Sequence, residues 1–260
     1  MPTYQTPSGP ILGYEDVGHG PALLFLHAFP LHSEMWRAQL GLFAGERRVV
    51  AVDFPGFGMS PAAGPGLTLA THAKAVAELA RHLGLAPFAA IGLSMGGYVA
   101  LELASQAPEL LSGLVLADSR AGADAPEGAA AREKMAARAE REGIGFVAGE
   151  MLPRLLAPSA EPDVVRFARR LIARASPQGV ATAQRAMAAR RDHHATLERL
   201  RLPALVLCGA EDALTPPAES ARMASRLSLG RLEILPGGSH LSNLDAEDAF
   251  NRALVSFLDQ

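Results

Sequence analysis

Short apolar runs rich in Val, Ile, Leu and Ala recur along the chain with turn residues at their ends: 22–27, 48–53, 88–93, 114–118, 204–209 and 232–235. Runs of this length without polar alternation read as strands covered on both faces. Between them the apolar spacing changes to that of a helix. Over 68–83, Leu69, Ala73, Val76, Ala77, Ala80 and Leu83 fall on one stripe. Strand followed by helix, repeated, predicts an α/β fold with a mostly parallel sheet and helices on both faces. An extended piece at 11–17 is expected to be an antiparallel edge arm, leading through Gly18-His19-Gly20 into the first buried strand.

From about Arg120 to Arg201 the strand-like runs vanish. Ala, Arg and Glu dominate helical stretches interrupted at Pro153, Pro158, Pro162 and Pro177, which predicts a helical insertion. Strand alternation resumes at Ala204. The expected organisation is therefore one core, residues 1–119 and 201–260, with residues 120–200 inserted into it.

Composition narrows the function classes. With 49% hydrophobic and 20% charged positions in 260 residues, the chain can fill a single core. Lys and Arg number 24 against 27 Asp and Glu, a formal net charge of −3. No block of like charge is present, so neither nucleic acid nor a membrane surface is an expected partner. Cys208 is the one cysteine, which excludes an intrachain disulfide framework, and no Cys/His spacing suits zinc. Met1-Pro2-Thr3-Tyr4-Gln5 lacks a basic start and an apolar stretch, and no apolar run approaches the ~20 residues of a spanning helix. A reducing, cytoplasmic location is the expectation.

The chemistry gathers where strands end. Gly92-Leu93-Ser94-Met95-Gly96 follows one buried run and opens a helix, the strand, sharp turn, helix setting of a G-x-S-x-G nucleophile elbow. Gly92 and Gly96 are needed because backbone approaches backbone there. The bare pattern arises by chance, so its context carries the weight. A serine hydroxyl needs a histidine to take its proton and an acid to orient that histidine, in the order Ser, acid, His. Of eight histidines, His193, His194 and His240 follow Ser94. His240 stands in a loop directly after a strand, whereas His193 and His194 are expected at a solvated helix end. Asp212, in Gly209-Ala210-Glu211-Asp212 after another strand, is the candidate acid, with Glu211 and Asp118 as rivals. Oxyanion donors are expected from the backbone N–H groups of Met95 and Phe29, since Pro30 has none. His27 reads as a structural loop histidine, Asp53 as a turn residue and Cys208 as core.

Together, His27-Ala28-Phe29-Pro30, Asp53-Phe54-Pro55-Gly56-Phe57-Gly58-Met59-Ser60, Gly92-Leu93-Ser94-Met95-Gly96-Gly97, Gly209-Ala210-Glu211-Asp212 and Gly238-Ser239-His240 resemble the α/β-hydrolase family over nearly the whole chain. The nearest look is to small carboxylesterases and 3-oxoadipate enol-lactonase-like hydrolases. The resemblance implies a mixed eight-stranded sheet with a lid after the sixth strand. It also implies a serine hydrolase of carboxylic esters or lactones acting through Ser94, His240 and Asp212, with a small-molecule substrate and no metal or organic cofactor. Carbon–carbon hydrolases of ring-fission products and haloperoxidase-like enzymes share this elbow, as Pro30 does with the latter. A receptor-like protein that kept the fold is the non-catalytic alternative. Ser94 at the elbow argues against epoxide hydrolases and haloalkane dehalogenases, which place aspartate there. Ala28 departs from the family's usual glycine. The arginines of the insertion, among them Arg132, Arg138, Arg154, Arg166, Arg169 and Arg170, read as a solvated helix face or an attraction for a substrate carboxylate. Its apolar residues, such as Met135, Met151, Leu155 and Phe167, read first as packing.

Overall fold

The computed structural model describes residues 1–64 and 66–259. Eight strands form one sheet: β1 (Thr3–Gln5), β2 (Ile11–Val17), β3 (Ala22–Leu26), β4 (Arg48–Asp53), β5 (Phe88–Leu93), β6 (Leu111–Ala117), β7 (Ala204–Gly209) and β8 (Gly230–Leu235). Their spatial order is β1-β2-β4-β3-β5-β6-β7-β8. From β4 to β8 all neighbours run parallel, while β2 is antiparallel to both β1 and β4. Every residue of β3, β5 and β7 is buried, which requires cover on both faces of the sheet.

Three expectations about the strands need correction. The 11–17 arm is not the edge strand, because β1 pairs along its outer side, a three-residue strand too short to leave a clear sequence signal. Nor does β2 pair with β3, the strand it leads into: β4, buried from Val49 to Asp53, lies between them. Strand β6 also begins three residues earlier than its unbroken apolar run, since Ser112 points outward at its start.

The helices are α1 (Arg37–Phe43), α2 (Leu69–His82), α3 (Met95–Gln106), α4 (Pro126–Glu142), α5 (Val147–Leu155), α6 (Pro162–Ile172), α7 (Pro177–Ala188), α8 (His194–Arg199), α9 (Pro217–Ala224), α10 (Ser242–Asp245) and α11 (Glu247–Leu258). The stripe read in 68–83 is the buried face of α2, and the Thr68 hydroxyl caps that helix by accepting from Thr71 N–H at 3.1 Å. Helix α3 packs against α2 and over β3, β5 and β6. Helices α4 to α8 all lie between β6 and β7, so the helical insertion interrupts a continuous sheet.

The insertion is fastened at defined points. Ser176 N–H donates to Gly56 O at 2.8 Å, and Gly56, at φ 88°, lies so close to Gly179 of α7 that a Cβ on either would meet backbone. The Asp53–Ser60 segment is thus a turn, as expected, and also the seat of α7. Asp53 shapes it by accepting from Ser33 and Met59 N–H groups, both at 2.7 Å. Among the described residues no helix is long and apolar enough to cross a membrane.

Candidate active site

In a parallel sheet every strand delivers its following loop to the same edge, where ligands collect. Here that edge carries Phe29 after β3, Ser94 after β5, Asp118 after β6, Asp212 after β7 and His240 after β8. Ser94 sits at φ 54° and ψ −112°, a backbone conformation that L-residues rarely adopt. The contacts that hold it there are explicit. Ser94 N–H donates to Ala117 O at 2.9 Å, and the Ser119 hydroxyl donates to Ser94 O at 3.0 Å. A Cβ on Gly92 would collide with the Gly96 carbonyl, and one on Gly96 with the Leu26 carbonyl. The turn closes because both positions lack one.

His240 joins the pieces. Its Nε2 is 2.8 Å from Ser94 Oγ and its Nδ1 is 2.8 Å from Asp212 Oδ2. Asp212 also accepts from the N–H groups of Leu214 (2.8 Å) and Thr215 (2.9 Å) and from the Thr215 hydroxyl at 2.5 Å. Burial raises its pKa, but the His240 and Thr215 hydrogen bonds outweigh that and hold it below the ordinary carboxylate value. An ionised Asp212 fixes Nδ1–H on His240 and leaves Nε2 facing Ser94 as the acceptor.

The rivals fall elsewhere. Asp118 lies beside Asp212 at φ 44°, but its carboxyl engages Gly209 N–H at 2.8 Å and the Ser242 hydroxyl, not His240. Burial, with Asp212 alongside, raises its pKa well above normal. Glu211 is exposed. His193 corrects an expectation: it is buried, its Nδ1 3.1 Å from Thr196 Oγ1 and its Nε2 3.2 Å from Glu102 of α3, whose buried negative charge draws the ring inward. His194, partly exposed, pairs with Asp192 at 2.8 Å.

Donor atoms of Asp118, Cys208 and Asp212 lie within 4.8 Å of one another, yet each is committed inside the core. The Cys208 thiol donates to the carbonyls of Gly209 (3.3 Å) and Thr215 (3.4 Å), and burial pushes its pKa up to about 12. That arrangement suits structure rather than metal ligation.

The β3 loop is set by His27, as expected a structural residue. Phe54 N–H donates to its Nε2 at 2.9 Å, so Nδ1–H donates to Ala28 O, also at 2.9 Å. Burial lowers its pKa to about 4, keeping the ring neutral. The loop leaves Phe29 N–H without a hydrogen-bond partner among the described residues, as the turn does Met95 N–H. Sequence reading missed Thr215, Ser119 and Ser242. Each is an ordinary Ser or Thr whose hydroxyl acts through neighbours distant in sequence.

Ser94, His240 and Phe29 open on a cavity of about 230 Å³ beneath the insertion. Met135, Met151 and Leu155 from the insertion line it, whereas Phe167 packs into the core, so the apolar residues there divide between the two roles read from sequence. Arg132 and Arg154 line it too. Arg138 and Arg170 instead make exposed ion pairs, with Glu142 and Glu150 and with Glu34.

Residues 21–247 match the description of the alpha/beta hydrolase fold. The chain belongs to the α/β-hydrolase family. It is 27% identical over 252 residues to 3-oxoadipate enol-lactonase 2 of Acinetobacter baylyi, covering 95% of this chain and 92% of that one. It is 30% identical over 253 residues to the pimeloyl-[acyl-carrier protein] methyl ester esterase of Chromobacterium violaceum, covering 94% and 97%. The solved thermophilic esterase of Thermogutta terrifontis, with malate bound, superimposes at a TM-score of 0.95 with 37% identity, covering 99% and 97%. This α/β-hydrolase therefore has esterases and enol-lactonases as relatives along its whole length, and the insertion shared in that superposition is part of the likeness.

Proposed function

We propose that the protein is a serine hydrolase of small carboxylic esters or lactones, with Ser94 as nucleophile, His240 as general base and acid, and Asp212 as the group that orients it. The observation that carries this reading is the continuous chain from Ser94 Oγ through His240 to Asp212, each link 2.8 Å, at a strained elbow facing the cavity.

The chemistry follows from those positions. Ser94 Oγ attacks the substrate carbonyl as its proton passes to His240 Nε2, and ionised Asp212 stabilises the imidazolium. The carbonyl oxygen becomes an oxyanion and takes the free N–H groups of Phe29 and Met95; Met95 also stands at the N-terminus of α3, where the helix dipole favours negative charge. Collapse breaks the ester C–O bond, and His240 returns the proton to the leaving alkoxide. Water then attacks the acyl-Ser94 ester by the same route, releasing acid and restoring the hydroxyl. In a lactone the leaving alkoxide stays tethered to the acyl group, so one ring-opened hydroxy acid is released. Activation comes from the three side chains, without a metal or organic cofactor. Helices α4 to α8 act as the cap that excludes water from this chemistry.

A fluorophosphonate probe tests whether the nucleophile is activated. Intact-mass analysis is expected to show one adduct per chain, located on Ser94 and absent from Ser94→Ala. A folded wild-type protein that takes up no adduct contradicts the reading.

A further inference from the structure

The charge around the cavity does not balance. Arg120, Arg132 and Arg154 line it, and Asp124 is the one carboxylate among the lining residues. Asp124 is already saturated. Arg132 Nε lies 2.5 Å from one of its oxygens and Arg190 lies 2.7 Å from the other, and these two cations hold its pKa down against burial. Arg132 also donates to Gln184 at 3.1 Å. Two guanidinium groups, those of Arg120 and Arg154, are left without an ion-pair partner among the described residues.

They differ in setting. Arg154, in the last turn of α5, is exposed and has no hydrogen bond or ion pair among the described residues. Arg120 follows β6. One of its terminal nitrogens donates to the Leu214 carbonyl, on the loop that also carries Asp212, while its Nε–H is buried and has no partner. A buried guanidinium N–H without an acceptor is more costly than an unpaired neutral donor, and the cost is recovered when an anion enters. Arg138, Arg166 and Arg185 of the insertion, by contrast, each close on an acidic neighbour.

We infer that Arg154 and Arg120 form a carboxylate subsite, so that the substrate is a short ester bearing a second, ionised carboxylate. This rests on the proposed hydrolase reading and deepens it. The planar fork of arginine suits a carboxylate in two-point contact. The spacer between carboxylate and ester runs past Met135, Met151 and Leu155, and a cavity of about 230 Å³ keeps it to a few carbons. The carboxylate belongs either to the acyl part, as in a half-ester of a dicarboxylic acid, or to the alcohol part, as in an acylated hydroxy acid.

Equilibrium binding separates this inference from turnover. Calorimetric titration of the Ser94→Ala protein would compare monomethyl glutarate with dimethyl glutarate, and O-acetylglycolate with its methyl ester, at low and high salt. The charged member of one pair is expected to bind at least about tenfold more tightly than its neutral partner, with the advantage shrinking as salt rises. The preferred pair tells which side carries the carboxylate. In an Arg154→Met background the advantage is expected to fall about fivefold or more, and Arg154→Lys to restore part of it. Arg120→Met is the second variant; because Arg120 also braces the Asp212 loop, its fold is checked by circular dichroism. Equal affinities within both pairs, no binding of either charged ester up to about 10 mM, or an advantage untouched by Arg154→Met would overturn the subsite. Ester turnover by wild type is a separate measurement, so failure of the subsite and failure of the hydrolase reading give different results.

Discussion

At the residue scale the site depends on a few atoms held where they would not sit by preference. Ser94 keeps a positive φ of 54° because its N–H is tied to Ala117 and its carbonyl to Ser119. Gly96→Ala would force a methyl group against the Leu26 backbone, with no flexible side chain to give way. Unfolding in urea is expected to show a loss of more than about 3 kcal/mol, together with lost activity. Asp212→Asn changes less shape and as much chemistry. An amide cannot hold the Nδ1–H form of His240 in the same way, and kcat is expected to fall on the order of 10⁴-fold with circular dichroism unchanged. Should Asp118→Asn cripple the enzyme while Asp212→Asn spares it, the acid would be the one after β6. That Ser94, Asp212 and His240 meet at one edge was legible because order and strand-end placement are sequence properties. Thr215, which donates to Asp212 at 2.5 Å, was not, since a lone threonine three residues on has no pattern of its own.

At the scale of elements the question is what ties the insertion to the core. Glu102 on α3 is the buried link. It pairs with Arg191, accepts from Gln106 at 3.1 Å and lies 3.2 Å from His193, so α3, which begins at Met95 directly after Ser94, is joined to the end of the insertion. Burial raises the Glu102 pKa, but the hydrogen bonds from His193, Arg191 and Gln106 prevail and bring it to about 2. A carboxyl depressed from its ordinary 4.5 to about 2 adds stability that is fully present above pH 4.5 and is lost as pH falls through about 2. Because the Arg191 side chain is 60% exposed, solvent screening trims the contribution to about 2 kcal/mol. Glu102→Gln is expected to be less stable by that amount at neutral pH, with the gap to wild type closing as unfolding is measured at successively more acid pH. A gap independent of pH would mean that packing, and not charge, makes the link. His193 shows where sequence reading stopped: its partner lies far along the chain, and beside Arg190, Arg191 and Asp192 a histidine reads as solvated. The β1 edge escaped for a related reason, since three residues are too few to display a period.

At the scale of the whole molecule, one twisted sheet brings five loops, far apart in sequence, to a single edge, and the insertion closes a small cavity over them. The fold was legible because both-face burial leaves long apolar runs and the insertion leaves a stretch without them. The cavity's lining was less so, because Arg154 and Arg138 look alike in sequence and differ only in the neighbours the fold supplies. Cavity size sets an expectation about substrates: about 230 Å³ accommodates a short acyl group and not a long one. The most direct test of the account is hydrolysis of p-nitrophenyl esters from acetate to palmitate at neutral pH, by wild type and Ser94→Ala side by side. The account predicts turnover that is fastest for the short acyl chains and falls on the order of 10⁴-fold or more in the variant. Retention of more than about a tenth of the activity by a folded Ser94→Ala protein would contradict it, because no triad nucleophile is that dispensable.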